Sequence, residues 1–185
     1  MNFSMDESGQ IVDGTVHPIR YVGDPVLHRP CATVTDFNSE LATLVRDMFA
    51  SMYAAQGVGL AANQIGVSLR VFVYDCPDET EEHQRGVVVN PTLALPGIGR
   101  RQLEDYDEGC LSVPGQRASL ARPDHAVVHG FDVTGQPITL EGTGLLSRCF
   151  QHETDHLEGR LYIDRLPGKR RKALLAAYEE SRRTA

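Results

Sequence analysis

The spacing of apolar residues divides the chain into segments of different character. After the polar run Asn38-Ser39-Glu40, the positions Leu41, Leu44, Val45, Met48 and Met52 recur every three or four residues, which predicts an amphipathic helix ending near Gly57. Short β-rich runs follow at residues 71–74, at 87–89 just before Pro91, at 126–133 and at 138–140. The last two flank Thr134-Gly135-Gln136 and should pair as a hairpin. Glycine- and proline-rich stretches at 96–99 and 109–115 predict loops and argue against regularly alternating strands and helices. The expected class is α+β, with short antiparallel or mixed sheets packed around a central helix.

That central helix is predicted from residue 143 or 144 to 158, with Gly159 as its stop. Leu145, Cys149, His152 and His156 share one stripe, and Leu146, Phe150, Glu153 and Leu157 form the next. Ser147, Arg148, Gln151, Thr154, Asp155 and Glu158 make the opposite, polar face. Two histidines and a glutamate are thus embedded in an apolar strip. A buried carboxylate without a partner costs several kcal/mol, and a metal ion or a hydrogen-bonded cluster is the usual compensation. His152-Glu153-Thr154-Asp155-His156 is an HExxH pattern: imidazoles one turn apart reach one cation, and Glu153 stands beside them to handle a proton.

A catalytic centre of this kind needs a third ligand. Ten residues after the first histidine, where one metalloprotease pattern places another, stands Tyr162. Glu179 and Glu180 are alternatives from the tail, which would suit an HExxH endopeptidase. Cys110, in the loop Glu108-Gly109-Cys110-Leu111-Ser112-Val113-Pro114, is the better donor, because a Cys/His/His set leaves one coordination position open. A third possibility for the whole chain is a ribosome- or RNA-binding module with a structural metal.

Composition narrows the setting. With 185 residues, 41% of them hydrophobic, the chain suits one domain, and a net charge of −7 with 23% charged residues excludes both a disordered chain and a wholly basic nucleic-acid binder. No stretch is apolar for long enough to span a membrane, and the first 17 residues lack the apolar centre of a secretion signal, so a cytoplasmic protein without a membrane partner is expected. The four cysteines are widely spaced and expected to be reduced thiols. Three parts are read: a flexible extension at 1–17, a catalytic domain at 18–167 and a basic helical tail at 168–185.

Three segments, Gly57-Val58-Gly59-Leu60-Ala61-Ala62-Asn63-Gln64, Glu108-Gly109-Cys110-Leu111-Ser112 and Gln151-His152-Glu153-Thr154-Asp155-His156, occur in an order and at separations that together resemble the peptide deformylase family. The resemblance runs from about Ile19 to about Leu166. It implies a metal-dependent hydrolase that removes the formyl group from the N-terminal formylmethionine of nascent polypeptides. On it, Cys110, His152 and His156 are the metal ligands, Glu153 is the general base and acid, and Gln64 with the backbone N–H of Leu111 faces the oxyanion. It further implies ferrous iron as the native ion, replaceable by zinc, nickel or cobalt. Val58, Gly59, Glu108, Gly109 and Cys149 are the implied substrate contacts, and Arg148, on the polar helix face, is left outside the methionine pocket. Gly57 has two readings, a helix stop or, with Gly59, a place where substrate backbone lies alongside Val58 as an added strand.

From Arg165 onward, seven basic residues face only Glu179 and Glu180, a net of +5 that leaves −12 on the remainder. With Leu174, Leu175 and Tyr178 at helical spacing, a basic amphipathic helix is expected. Formylmethionyl nascent peptides are the expected substrates, with the ribosome surface as a docking partner through 168–185 and a monomer as the expected state.

Overall fold

The structure is a computed structural model describing Ser4, Ile11 and residues 13–78 and 80–184. Asn38 starts the first helix, α1 (Ser39–Ala54), by accepting hydrogen bonds at its side-chain oxygen from the Glu40 and Leu41 N–H groups (3.0 and 3.1 Å). Leu41, Val45, Met48 and Met52 are buried along one face, each contributing roughly 1.5–3 kcal/mol of apolar burial. The left-handed residue after the helix is Gln56 (φ 56°), not Gly57. Gly57 is needed for another reason: a Cβ there would lie 2.7 Å from Leu111 Cδ1.

Of the expected flexible extension, residues 1–3, 5–10 and 12 lie outside the described residues. The end of the segment runs against α1. Ile11 is buried in the α1 core, the Thr15 N–H donates to Asp47 Oδ1 (2.7 Å), and the His17 N–H donates to Ser51 Oγ (2.9 Å).

The strands are β1 (Gly59–Ala61), β2 (Val71–Pro77), β3 (His83–Ala94), β4 (Leu103–Gly109), β5 (Arg117–Pro123), β6 (His125–Phe131) and β7 (Pro137–Thr143). Five form one antiparallel sheet in the order β1-β2-β3-β6-β7, and β4 pairs with β5 in a second. The predicted hairpin is β6–β7, paired from Phe131 with Pro137 to His125 with Thr143. Strand β3 extends beyond the expected run at 87–89 and continues through Pro91. The register shifts between Val89 and Thr92, so the missing proline N–H falls at an irregularity. Asn90, with φ 52°, uses its side chain to bond both the N–H and the C=O of Val34 (2.9 Å each).

Strand β2 is buried on both faces: Val71 and Val73 meet α1, while Phe72 and Tyr74 meet the second helix, α2 (Gly144–Leu157). This helix packs on the five-stranded sheet with one side and on β5 with the other. The face that reads as polar in the sequence is therefore interior: Ser147, Arg148, Gln151, Thr154 and Asp155 are all buried. The helix ends at Gly159, which has φ 73°. The last helix, α3 (Gly168–Thr184), lays Leu174, Leu175 and the buried Tyr178 on a third cluster that includes Leu27, Leu161 and Ile163. All four cysteines are free thiols, and no helix among the described residues is long and apolar enough to cross a membrane.

A Cβ at position 159 would stand 2.6 Å from the backbone of Arg29, in a conformation that side chains rarely adopt. Gly159→Ala is expected to destabilise the fold by about 2–3 kcal/mol, read as a lower midpoint in urea unfolding with an unchanged slope.

Candidate metal centre and active site

One turn of α2 brings His152 and His156 to the same side, with their Nε2 atoms 3.2 Å apart. The loop after β4 delivers Cys110, whose Sγ lies 3.2 Å from His156 Nε2. That loop is closed by the Val113 N–H bonding Cys110 O (2.9 Å), and the Ser112 N–H points at Cys110 Sγ (3.4 Å). The three donor atoms lie within 4.8 Å of one another. His152 Nδ1 is 2.6 Å from Glu108 Oε1, so with the ring N–H at Nδ1 donating to the carboxylate, Nε2 is left as an electron-pair donor. A sulfur and two ring nitrogens this close must either share protons or hold a cation between them, and a cation would satisfy all three lone pairs at once. The thiolate and imidazole set suits zinc, iron, cobalt or nickel. Glu179 and Glu180, the alternative third ligands, are exposed on α3 and take no part; Glu180 pairs with Arg183. Tyr162 instead stacks near the His152 ring, with centroids 6.2 Å apart.

Glu153 is only 4% exposed, and its Oε2 has no hydrogen-bond partner among the described residues. Burial is the main cause that pushes its carboxyl up to about 7, where it exchanges protons readily near neutral pH. Glu108 is the opposite case. Its burial would raise the carboxyl, but hydrogen bonds from Arg122 and His152 outweigh that and hold it far below the usual range.

Glu108 anchors a buried ionic network that sequence reading missed. Arg122 grips it with two bonds (2.8 and 2.7 Å), and Arg148 Nη1 donates to Oε2 at 2.8 Å. Arg122 also reaches Asp155 (3.0 Å), which Arg165 holds from the other side. Glu108, expected among the substrate contacts, borders the cavity and in addition orients a histidine through its carboxylate. Arg122 had no motif to mark it. It lies on β5, a strand whose alternation of small and polar residues gave no strong signal.

A cavity of about 580 Å³ opens beside the donor group. Val58, Gly59, Gln64, Glu108, Gly109, Cys110, Leu111, Cys149, His152 and Glu153 all border it, while His156 is fully buried among its neighbours. Arg148 borders it too, contrary to the sequence reading, because the supposedly polar helix face is packed inside the molecule. Gln64 is fixed by its Oε1, which accepts from the Ala61 N–H (2.9 Å); its amide nitrogen then points to Ser112 Oγ (3.1 Å) and towards Cys110 Sγ (3.7 Å). The Leu111 N–H has no partner among the described residues. Removing the central anion should damage this arrangement in two ways. Glu108→Ala leaves two buried guanidinium groups undercompensated and is expected to cost about 3–5 kcal/mol in denaturant unfolding. It should also weaken divalent-ion binding by roughly 10–100-fold in a metal-competition titration, because His152 loses its orienting partner.

The family model described as polypeptide deformylase matches residues 16–172. Peptide deformylase 2 of Streptomyces coelicolor is 57% identical over 162 residues, covering 88% of this chain and 89% of that protein. A peptide deformylase of Mycolicibacterium vanbaalenii is 55% identical, with 83% of each chain covered. Among solved structures, a Legionella pneumophila peptide deformylase superposes with a TM-score of 0.82 at 37% identity, covering 92% of this chain and 97% of that one. An Ehrlichia chaffeensis peptide deformylase in complex with actinonin gives 0.83 at 32% identity, covering 90% and 98%.

Proposed function

The chain belongs to the polypeptide deformylase family, and on that premise we propose that it hydrolyses the N-formyl group of formylmethionyl nascent peptides, using Cys110, His152 and His156 as metal ligands and Glu153 as general base and acid. The observation that carries the reading is the buried Glu153 carboxylate, with one oxygen unpartnered, beside three converging donor atoms. A divalent cation held by those three residues acidifies a water and polarises a carbonyl when bound. Ferrous iron is the expected native ion, with zinc, nickel or cobalt as substitutes.

The chain's own groups account for the remaining chemistry. Glu153 takes the proton of the attacking water and returns it to the departing amine, so that the formyl C–N bond breaks, formate leaves and a free amino terminus remains. Negative charge on the former carbonyl oxygen meets two donors, the Gln64 side-chain amide and the Leu111 N–H. Gln64 suits this role because Ala61 holds its oxygen and so aims its nitrogen. The substrate backbone lies against the Val58–Gly59 edge: among the described residues β1 pairs with β2 alone, and main-chain contacts there accept any sequence.

The same reading extends to the delivery of substrate. Lys169, Arg170, Lys172, Arg182 and Arg183 are exposed on α3, whose apolar stripe is already committed to the body of the protein. They form the surface that docks on the anionic ribosome. Deleting the helix would expose the residues beneath Tyr178, so charge reversal is the cleaner probe: Lys169→Glu with Lys172→Glu should weaken salt-sensitive cosedimentation with ribosomes.

Two measurements test the chemistry. Metal-loaded protein should release formate from formyl-Met-Ala without cutting internal peptide bonds, and Glu153→Gln should reduce kcat by roughly 10²–10⁴-fold while leaving the bound metal in place. Gly59→Ala should also impair turnover severely, because its Cβ would lie 2.5 Å from Glu153 Oε1 and 2.9 Å from Cys149 Sγ. Full activity in that variant would show that the carboxylate position is unimportant.

A further inference from the structure

Arg148 is out of place in a pocket wall meant for an apolar side chain. It is 5% exposed, lies on α2 and borders the cavity with Val58, Cys149 and Tyr106. Its guanidinium sits over the Tyr106 ring, 5.4 Å from the centroid. Nη1 donates to Glu108 Oε2 (2.8 Å) and to Leu120 O (2.9 Å), and Nη2 donates to Glu104 O (2.7 Å). Three of its five N–H groups are thereby used, leaving two.

Its neighbour has no such reserve. Glu108 Oε1 receives Arg122 and His152, and Oε2 receives Arg122 and Arg148, so all four acceptor positions of the carboxylate are filled. The charged pair in this wall therefore has donors left over and no acceptors. A side chain entering the pocket can gain a hydrogen bond from this pair only by bringing an acceptor, and a donor that it brings finds no free acceptor on the pair.

We propose that Arg148 is a specificity-determining residue that extends the pocket to a side chain of methionine's length carrying an acceptor-only polar group, namely methionine sulfoxide with its oxygen on Sδ, so that the chain deformylates peptides whose first residue is oxidised. The inference rests on the deformylase reading given above and adds to it a substrate class. A thioether sulfur is a weak acceptor and draws little from the arginine; a sulfoxide oxygen is a strong one, and the guanidinium is a charged donor. Glutamine has similar length, but its amide also carries two N–H groups, for which neither Arg148 nor the filled Glu108 carboxylate offers an acceptor.

The test compares kcat/KM of the metal-loaded protein, by formate release, on formyl-Met(O)-Ala, formyl-Gln-Ala and formyl-norleucyl-Ala, with formyl-Met-Ala as the reference. Wild type should process the sulfoxide within about tenfold of norleucine and clearly ahead of glutamine. In Arg148→Met the sulfoxide-to-norleucine ratio should fall by about tenfold or more, the size expected for one hydrogen bond to a charged group. Because the ratio is taken within one variant, a general loss caused by loosening Glu108 cancels. Arg148→Lys, which keeps a cationic donor, should retain part of the ratio. An equal ratio in wild type and Arg148→Met overturns the proposal. So does wild type rejecting the sulfoxide more than a hundredfold, a result that needs no folded variant. Formate release from formyl-Met-Ala alone, with the sulfoxide refused, sinks the inference and spares the deformylase reading; no release from any peptide overturns both.

Discussion

The Glu108 carboxylate, buried and ionised, sets the geometry of the centre. Taking a carboxylate out of water is costly, and it is offset here by four donor contacts from Arg122, Arg148 and His152. The contact with His152 connects this to the chemistry. By accepting a hydrogen bond from Nδ1–H, Glu108 keeps Nε2 in its electron-pair form and holds the ring plane in place. Because Glu108 precedes Cys110 by two residues, the same short segment positions the histidine and supplies the sulfur. Placement of these donor atoms is thus coupled to the β4–β5 pairing, which fixes Glu108 opposite Ala118.

Two carboxylates lie near one another in opposite states, and their surroundings explain the difference. Glu108 is ringed by donors and remains an anion. Glu153, desolvated and short of partners, titrates near neutrality. The close approach of β1 contributes to the second condition. Gly59 lets its backbone pass close to Glu153, which leaves no room there for a side chain. In sequence this residue looks like an ordinary loop glycine, and only the packing shows why a methyl group is excluded.

The parts of the molecule that follow a simple periodicity were legible from residues alone. The Asn38 cap, the α1 stripe, the β6–β7 hairpin and the Gly159 stop all rest on local rules. Less legible were features created by a second surface. Strands β4 and β5 carry Glu104, Asp105, Asp107 and Arg117 among few apolar residues, so no alternation announced them. Once that pair covers α2, the polar side of the helix wheel becomes interior, and Arg148, Gln151 and Asp155 find buried partners. A helix wheel distinguishes apolar from polar faces, but it says nothing about polar residues that meet other polar residues inside. The HExxH segment stood out because its chemistry is written in neighbouring positions; Arg122 and Asp155, separated by 33 residues, left no such trace.

An open strand beside a cavity invites unwanted guests as well as substrate. Exposed sheet edges template pairing with other chains, and long ones lead to aggregation. Here β1 is only three residues long, and its final N–H, on Ala61, is occupied by the Gln64 side chain. Gln64, the proposed oxyanion donor, therefore also seals the end of the edge. A peptide can form only a few ladder bonds before the track runs out, which favours quick release of a short N-terminus and denies a foothold to the extended segments of neighbouring molecules.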